Sequence, residues 1–152
     1  MNKEFTFEDL DFEEDLSRSD KLAERVLNSP EFNIQSLIMP FHYHNTCWGT
    51  AAYILCKLDF DKIKLFTPDL LKWLQDLNWY GANTIFQKLL TFPPDFLGPY
   101  VEKAVIEALK TKDNEWIANL SGFTYKKILT EKDFCNKKIF SILKNSENLI
   151  WD

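Results

Sequence analysis

Glycine and proline are scarce in this sequence, and their scarcity limits the chemistry that the chain can perform. Only four glycines and six prolines occur in 152 residues, and no glycine-rich run precedes a predicted helix. Loops that bind nucleotide phosphates need such runs, because only glycine lets the main chain approach a phosphate closely. The sequence therefore excludes a phosphate-binding loop, and it indicates regular segments joined by short turns.

Cysteine is also sparse, and its spacing fits neither a zinc site nor a disulfide framework. Cys47, Cys56 and Cys135 form no CxxC pair. If Cys47 and Cys56 share one helix, about 13 Å of helical rise separates them, and a disulfide bridges Cα atoms only up to about 7 Å apart. We expect all three thiols to be reduced and buried.

Long apolar runs are missing too. No stretch approaches the roughly 18 residues that a membrane span requires. Residues 1–16 are acidic and lack the basic region followed by an apolar one that marks a secretory signal. We therefore expect a cytoplasmic protein without a membrane partner, with an acidic N-terminal segment over 1–16 and a single helical-repeat domain over 17–152.

Arginine is nearly absent, and the charge balance is acidic. Lysine outnumbers arginine 16 to 2, which together with frequent Asn, Ile and Phe is typical of an AT-rich bacterial genome. The net charge is −5, whereas a nucleic-acid-binding protein needs a basic stripe. We interpret the one basic cluster as a solvated face and expect no nucleic acid partner; its members are Lys126, Lys127, Lys132, Lys137 and Lys138. An acidic protein is better matched to a basic protein partner.

Two stretches of the sequence repeat each other at an offset of 31 residues. Residues 48–58 align with residues 79–89, and Trp, Ala, Ile, Lys and Leu coincide. The matched apolar residues fall at helical spacing, which predicts a helix packed on one face. Asn45 and Asn78 stand close to the two starts and suit helix N-caps. A weaker third copy begins at Asp113-Asn114-Glu115-Trp116.

Start signals predict further helices around these copies. Thr67-Pro68-Asp69 combines a capping residue, a proline for the first helical position and an acid, and Ser29-Pro30-Glu31 repeats that order. Thr130-x-x-Asp133 is typical of a capping box and predicts the last helix, while an early helix is expected from Ser17. Pro93-Pro94 and Gly98-Pro99 are expected to break the chain before a helix that starts at Tyr100.

The order of these elements predicts an all-α fold of stacked antiparallel helical hairpins. About three repeats would stack with the terminal helices as caps, because a hairpin of this length cannot bury its apolar face alone. A compact irregular bundle is the alternative architecture.

A string of residues before the second copy carries a family resemblance. Trp73-Leu74-Gln75-Asp76-Leu77-Asn78-Trp79 resembles an uncharacterised bacterial helical domain family whose signature reads Trp-Leu-Gln-Asp-x-Asn-Trp-Pro, although Tyr80 stands in the place of its proline. The downstream Asn114-Glu115-Trp116 fits that family as well, so the resemblance covers about residues 58–120. The pattern is also similar to HEAT-type repeats, a resemblance that implies protein binding and no particular activity.

Catalytic motifs are almost absent. His42-x-His44-x-x-Cys47 brings two imidazoles and a thiol within six residues, but zinc sites usually combine two separated clusters, and a fourth ligand is not evident. No Gly-x-Ser-x-Gly motif occurs. We interpret the His-Cys stretch as a turn with a core cysteine, and we expect no enzyme, no cofactor and no metal.

The five tryptophans have two interpretations. Three of them begin repeat copies at equivalent places, which favours a structural role between stacked hairpins. The alternative is an interface hot spot. Polar neighbours would gather at the inter-helix turns on one edge of the stack, and we take this acidic, aromatic edge as the candidate protein-binding site: Asp76, Asn78, Trp79, Tyr80, Asp113, Glu115 and Trp116.

The sequence favours a non-enzymatic protein-binding domain. Its most concrete form is a bacterial immunity protein that binds and neutralises a basic toxin, such as a nuclease effector, because an inhibitor of a basic enzyme needs complementary charge and no catalytic groups. One alternative is a HEAT-like scaffold or adaptor. Another is a small hydrolase or metal-binding protein that uses His42, His44 and a cysteine.

Overall fold

Helices are the regular secondary structure of the described residues. A computed structural model describes residues 20–21, 23–25, 28, 33–38 and 46–151. No strand is present among these residues, which confirms the predicted all-α class. The acidic segment 1–16 and the start signal at residues 29–31 lie outside the described residues. No described helix is long and apolar enough to cross a membrane.

Short helices and tight turns make up most of the described chain. Residues 20–21, 23–25 and 28 are helical. The later α-helices, in chain order, are α1 (Thr46–Cys56), α2 (Phe60–Ile63), α3 (Thr67–Lys72), α4 (Ala82–Leu89), α5 (Pro94–Thr111), α6 (Asn114–Leu120), α7 (Gly122–Tyr125) and α8 (Lys137–Ser146). Single 3₁₀ turns lie at Ile34–Leu37, Lys64–Phe66, Trp73–Gln75, Glu131–Asp133 and Glu147–Leu149.

The two repeat copies lie side by side. Helix α1 packs against α4, α3 packs against α5, and α5 packs against α6, while α8 contacts α5, α6 and α7. Four of the five coinciding apolar positions are buried in both copies, as the pairs Ala51 and Ala82, Ile54 and Ile85, Leu55 and Phe86, and Leu58 and Leu89. At the fifth, Trp48 is buried and Trp79 is half-buried. The 31-residue repeat therefore corresponds to equivalent faces of α1 and α4, and both faces pack into the same hydrophobic core.

Helix α5 corrects the predicted break at Gly98-Pro99. The helix begins at Pro94 and runs without interruption to Thr111, with Pro99 inside it. Proline at this position lacks the N–H that would reach the carbonyl one turn earlier, but it lies near the start of the helix, where one lost bond is tolerated. Gly98 serves packing instead, because a Cβ there would lie 2.4 Å from the main-chain oxygen of Asp133.

Two start signals act differently from their predicted roles. Thr67 is the first residue of α3 rather than its cap, and its hydroxyl donates to the Lys64 carbonyl at 2.6 Å. The capping box of Thr130 and Asp133 is present, but it closes the turn Glu131–Asp133. Helix α8 is capped by Asn136, whose side chain accepts from the main-chain N–H of Lys138. The proline start signal and the capping box are therefore both present. The helix and the 3₁₀ turn that begin at them are shorter than the sequence predicted.

Candidate functional site

A groove opens on the edge where the turn before α4 meets α6 and the end of the chain. Its volume is about 440 Å³. We name it the turn-edge groove, and it is lined by Leu77, Asn78, Asn114, Glu115, Ala118, Asn119, Leu149, Ile150 and Trp151. Three stretches that are distant in sequence therefore form one surface.

The turn before α4 forms the first wall. The Asp76 carboxylate accepts the main-chain N–H of Asn78 at 2.8 Å, a local bond that stabilises tight turns. The indole Nε1 of the buried Trp73 donates to the Tyr80 carbonyl at 3.0 Å. These bonds fix the main chain and leave the Asn78 side chain exposed.

The same turn is anchored on α1 by Gly81 and Trp79. Gly81 has a φ of +82°, and a Cβ there would lie 2.6 Å from the Ala52 Cβ and 2.8 Å from the Trp48 carbonyl oxygen. The half-buried ring of Trp79 meets the Trp48 ring edge-on, with centroids 5.6 Å apart. Glycine, not Asn78, therefore holds the position before α4, and Trp79 lies in the turn instead of the helix.

The first turn of α6 forms the second wall. The Asp113 side chain caps the helix by accepting the main-chain N–H of Trp116 at 3.0 Å. Trp116 is only 1% exposed, and its indole Nε1 donates to the Leu71 carbonyl at 3.0 Å. Glu115 is exposed and, in the part of the chain that the structure describes, belongs to no ion pair. Its carboxylate is therefore free to meet a ligand.

Asn119 lies in the floor of the groove and is only 3% exposed. Its side-chain nitrogen donates to the Leu74 carbonyl at 2.7 Å and lies 3.4 Å from the Gln75 carbonyl. These bonds fix the orientation of the amide. Within the described residues, its side-chain oxygen accepts no hydrogen bond, so an acceptor is left for a bound group.

Residues 149–151 form the third wall, which is apolar. Leu149 is 68% exposed and Ile150 is 49% exposed. The Trp151 ring stacks on Phe86 with centroids 5.1 Å apart, and its indole Nε1 donates to the Ala118 carbonyl at 2.8 Å. Gly122 makes room for this ring, because a Cβ there would lie 2.5 Å from it.

The charged residues in the three stretches of sequence that form the groove are all acidic. Residues 73–87, 113–125 and 147–152 contain five acids and no lysine or arginine. Glu147 pairs with Lys144 at 3.0 Å, and Asp76 and Asp113 bond to the main chain. Among the lining residues, Glu115 is the one with a charged side chain. A cation entering the groove would thus meet a carboxylate and no lysine or arginine among the lining residues.

The structure brings only part of the predicted site together. Asn78 and Glu115 line the groove, whereas Asp76 and Asp113 stabilise its walls from behind. Tyr80 and Trp116 do not line the groove. Tyr80 is exposed on the turn before α4, whereas Trp116 is buried. The sequence analysis missed Asn119 and residues 149–151. Residues 149–151 could have been found from the sequence, because Leu149-Ile150-Trp151 is an apolar run that follows the last amphipathic helix.

The described residues offer little support for metal or thiol chemistry. Among them, no group of three or more His, Cys, Asp or Glu is placed to hold a metal ion. Burial raises the pKa of Cys56 to about 11, and its thiol donates to the Thr84 carbonyl at 3.3 Å. Cys135 is exposed, so the expectation that all three cysteines are buried was wrong. His42, His44 and the Cys47 side chain lie outside the described residues.

Of the comparisons made, the one with family models shows which family this chain belongs to. Comparison with curated proteins and with solved structures finds no match. A family model described as a domain of unknown function (DUF5071) matches residues 49–148, which include most of both repeat copies and two walls of the groove. Because this match covers more than half of the chain, the protein belongs to the DUF5071 family.

Proposed function

We propose that this chain is a non-enzymatic protein-binding domain and that the turn-edge groove is its contact surface. The observation that carries the proposal is the composition of the groove, which combines exposed apolar side chains, three asparagines and one carboxylate without a base. Apolar contact area with a few polar groups is the usual make-up of a specific binding site.

We further propose that the helices form stacked hairpins of the HEAT type. The side-by-side packing of α1 with α4 and of α3 with α5 supports this arrangement, since equivalent helices of successive repeats would lie next to each other. Helix α8 and the helical residues 20–21, 23–25 and 28 would cap the stack. The Trp-Leu-Gln-Asp string from Trp73 to Asp76 gives the same interpretation from the sequence.

The most concrete partner is a basic toxin, with the chain as a bacterial immunity protein against a nuclease effector. The net charge of −5 and the exposed Glu115 carboxylate in the groove support this partner, because complementary charge accelerates association and suppresses wrong partners. An inhibitor needs to cover the active surface of the toxin, and it needs no catalytic group of its own.

A HEAT-like adaptor is the second candidate, and one observation favours it. Ile106 and Leu109 on helix α5 are exposed, and neither lines the groove. An adaptor needs two contact surfaces, whereas an inhibitor needs one. Substitution of both residues by Ser would leave inhibition intact and would abolish the adaptor function.

If a toxin domain is encoded beside the gene, co-expression with that domain tests the immunity function directly. Cells that carry both genes are expected to grow, and growth is expected to fail when Glu115→Lys is combined with Leu149→Lys. Glu131→Lys combined with Leu65→Lys is the matched control, because this pair makes the same charge change at exposed residues outside the groove lining. Failure of the unmodified chain to protect against any toxin domain encoded beside it would overturn the immunity proposal.

A further inference from the structure

We infer that the turn-edge groove binds an extended segment of the partner in which a lysine or arginine stands beside an apolar residue. This inference rests on the proposed protein-binding function and names what the groove recognises. It follows from three properties of the lining: one free carboxylate, three side-chain amides of which Asn119 is held in place, and an exposed apolar wall.

The carboxylate of Glu115 provides the charge selection. It is exposed and unpaired within the described residues, and it is the charged side chain of the lining. Because no lysine or arginine lines the groove and Glu115 belongs to no ion pair among the described residues, a cationic side chain displaces no existing ion-pair partner when it enters. An acidic side chain would meet only like charges.

The asparagines indicate that the bound segment is extended. A side-chain amide carries both a donor and an acceptor, as a peptide group does, and Asn78, Asn114 and Asn119 place three of them in one groove. The Asn119 oxygen is fixed and unpartnered within the described residues, since the nitrogen is held by the Leu74 carbonyl. A partner helix would already use its own N–H groups, whereas an extended chain has them free to donate.

The apolar wall accounts for the residue beside the cation. Leu149 and Ile150 are exposed next to the half-buried ring of Trp151. The methylene stem of a lysine or arginine can pack on such a surface while its charged end reaches Glu115. The volume of about 440 Å³ suits a few residues of an extended chain, because pockets for small ligands span roughly 300–1,000 Å³.

Titration of the isotope-labelled full chain with two short peptides tests this inference. The probe is acetyl-Ala-Lys-Leu-Ala-amide, and acetyl-Ala-Glu-Leu-Ala-amide is the matched control. The lysine peptide is expected to shift the side-chain amide signals of Asn78, Asn114 and Asn119 and the indole signal of Trp151 in a saturable way. The glutamate peptide is expected to shift none of them at the same concentration.

Two variants separate recognition by the groove from general charge attraction. Glu115→Gln is expected to weaken binding of the lysine peptide about twofold to fivefold, the size of an exposed ion pair, and Glu131→Gln is expected to leave it unchanged. Absence of these shifts, equal shifts with the glutamate peptide or equal binding by both variants would overturn the inference.

The outcome is distinguishable from a failure of the proposed function. If the lysine peptide binds in the groove and the chain protects against no toxin, the immunity function fails and the groove specificity stands. If the chain protects and the peptide does not bind, the specificity fails alone.

Discussion

The indole nitrogen of Trp116 donates a hydrogen bond to the main-chain carbonyl of Leu71, 3.0 Å away and 45 positions earlier in the sequence. Asn119, almost one turn further along α6, bonds in the same way to the Leu74 carbonyl. These two bonds attach α6 to the stretch that leads into the turn before α4. The relative position of two walls of the groove is thus set by buried side chains beneath it.

Replacement of Trp116 by Phe is expected to destabilise the fold. The Leu71 carbonyl is buried and keeps only a main-chain donor at the end of α3, so the loss of the indole bond is expected to cost about 0.5–1.5 kcal/mol of unfolding free energy. Trp151→Phe is the matched control, because its indole bond to the Ala118 carbonyl is only partly buried and water can replace it. Urea unfolding measures both. A loss for Trp151→Phe as large as that for Trp116→Phe would contradict this explanation.

The repeat register was predictable because it depends on local spacing. Helical periodicity places Ala51, Ile54 and Leu58 on one face regardless of what covers that face, and the structure buries all three. Their counterparts 31 residues later are buried for the same reason. Apolar spacing alone therefore predicted both helices and the faces that they bury.

Features that depend on distant neighbours were not predictable. Gly98 was interpreted as a helix breaker, but its role is to admit the main chain at Asp133, which is 35 positions away. Similarly, Trp151 becomes a wall of the groove only because Gly122 and Phe86 leave a place for its ring. Both depend on tertiary contacts that sequence spacing does not encode.

Two glycines near each other in the fold are expected to respond to alanine in opposite directions. Gly81→Ala places a Cβ in a left-handed conformation and 2.6 Å from the Ala52 Cβ, which is expected to lower the unfolding free energy by at least about 2 kcal/mol. Gly49→Ala lies within α1 with its nearest neighbour at 4.0 Å, and it is expected to raise stability by about 0.5–1 kcal/mol. Thermal and urea unfolding of both variants check the signs, and two changes of the same sign would refute the packing described for Gly81.

The lysine that ends α5 is a site where glycine is expected to stabilise. Lys112 adopts a left-handed conformation with a φ of 58°, a position that glycine occupies without steric cost. Lys112→Gly is expected to raise the unfolding free energy by about 0.5–1 kcal/mol. Lys110→Gly, inside the last turn of the same helix, is expected to lower it by about as much. Equal effects of the two substitutions would show that backbone conformation is not the cause.

The Cys56 thiol is expected to react slowly with alkylating reagents. Burial raises its pKa from the ordinary 9.0 to about 11, against the opposing charges of Lys88 and Lys57. At pH 8 the reactive thiolate is then on the order of a hundredfold less populated than in a free thiol. Mass spectrometry after iodoacetamide treatment is expected to find the exposed Cys135 modified first. Modification of Cys56 at the rate seen in the urea-unfolded chain would contradict this.

The same thiol is expected to make stability depend on pH in the alkaline range. Because the folded pKa lies above the ordinary one, the fold disfavours the thiolate, and the associated stability is complete below pH 9.0 and is lost as pH rises toward about 11. Cys56→Ser keeps a hydroxyl to donate to the Thr84 carbonyl and does not titrate in this range. The variant is expected to lose less stability than the original chain between pH 8 and pH 10.5, as measured by urea unfolding.

The groove places its exposed side chains on a backbone that other residues hold. Asn78, Glu115 and Leu149 expose their side chains to solvent. The indole bonds of Trp73 to the Tyr80 carbonyl and of Trp116 to the Leu71 carbonyl hold the main chain near Asn78 and Glu115. Substitution at the three exposed positions changes what a partner meets and leaves the packed layers intact. If the groove binds a partner as proposed, selection on recognition can act without a cost in folding, and members of one family can diverge in partner while they keep a common scaffold.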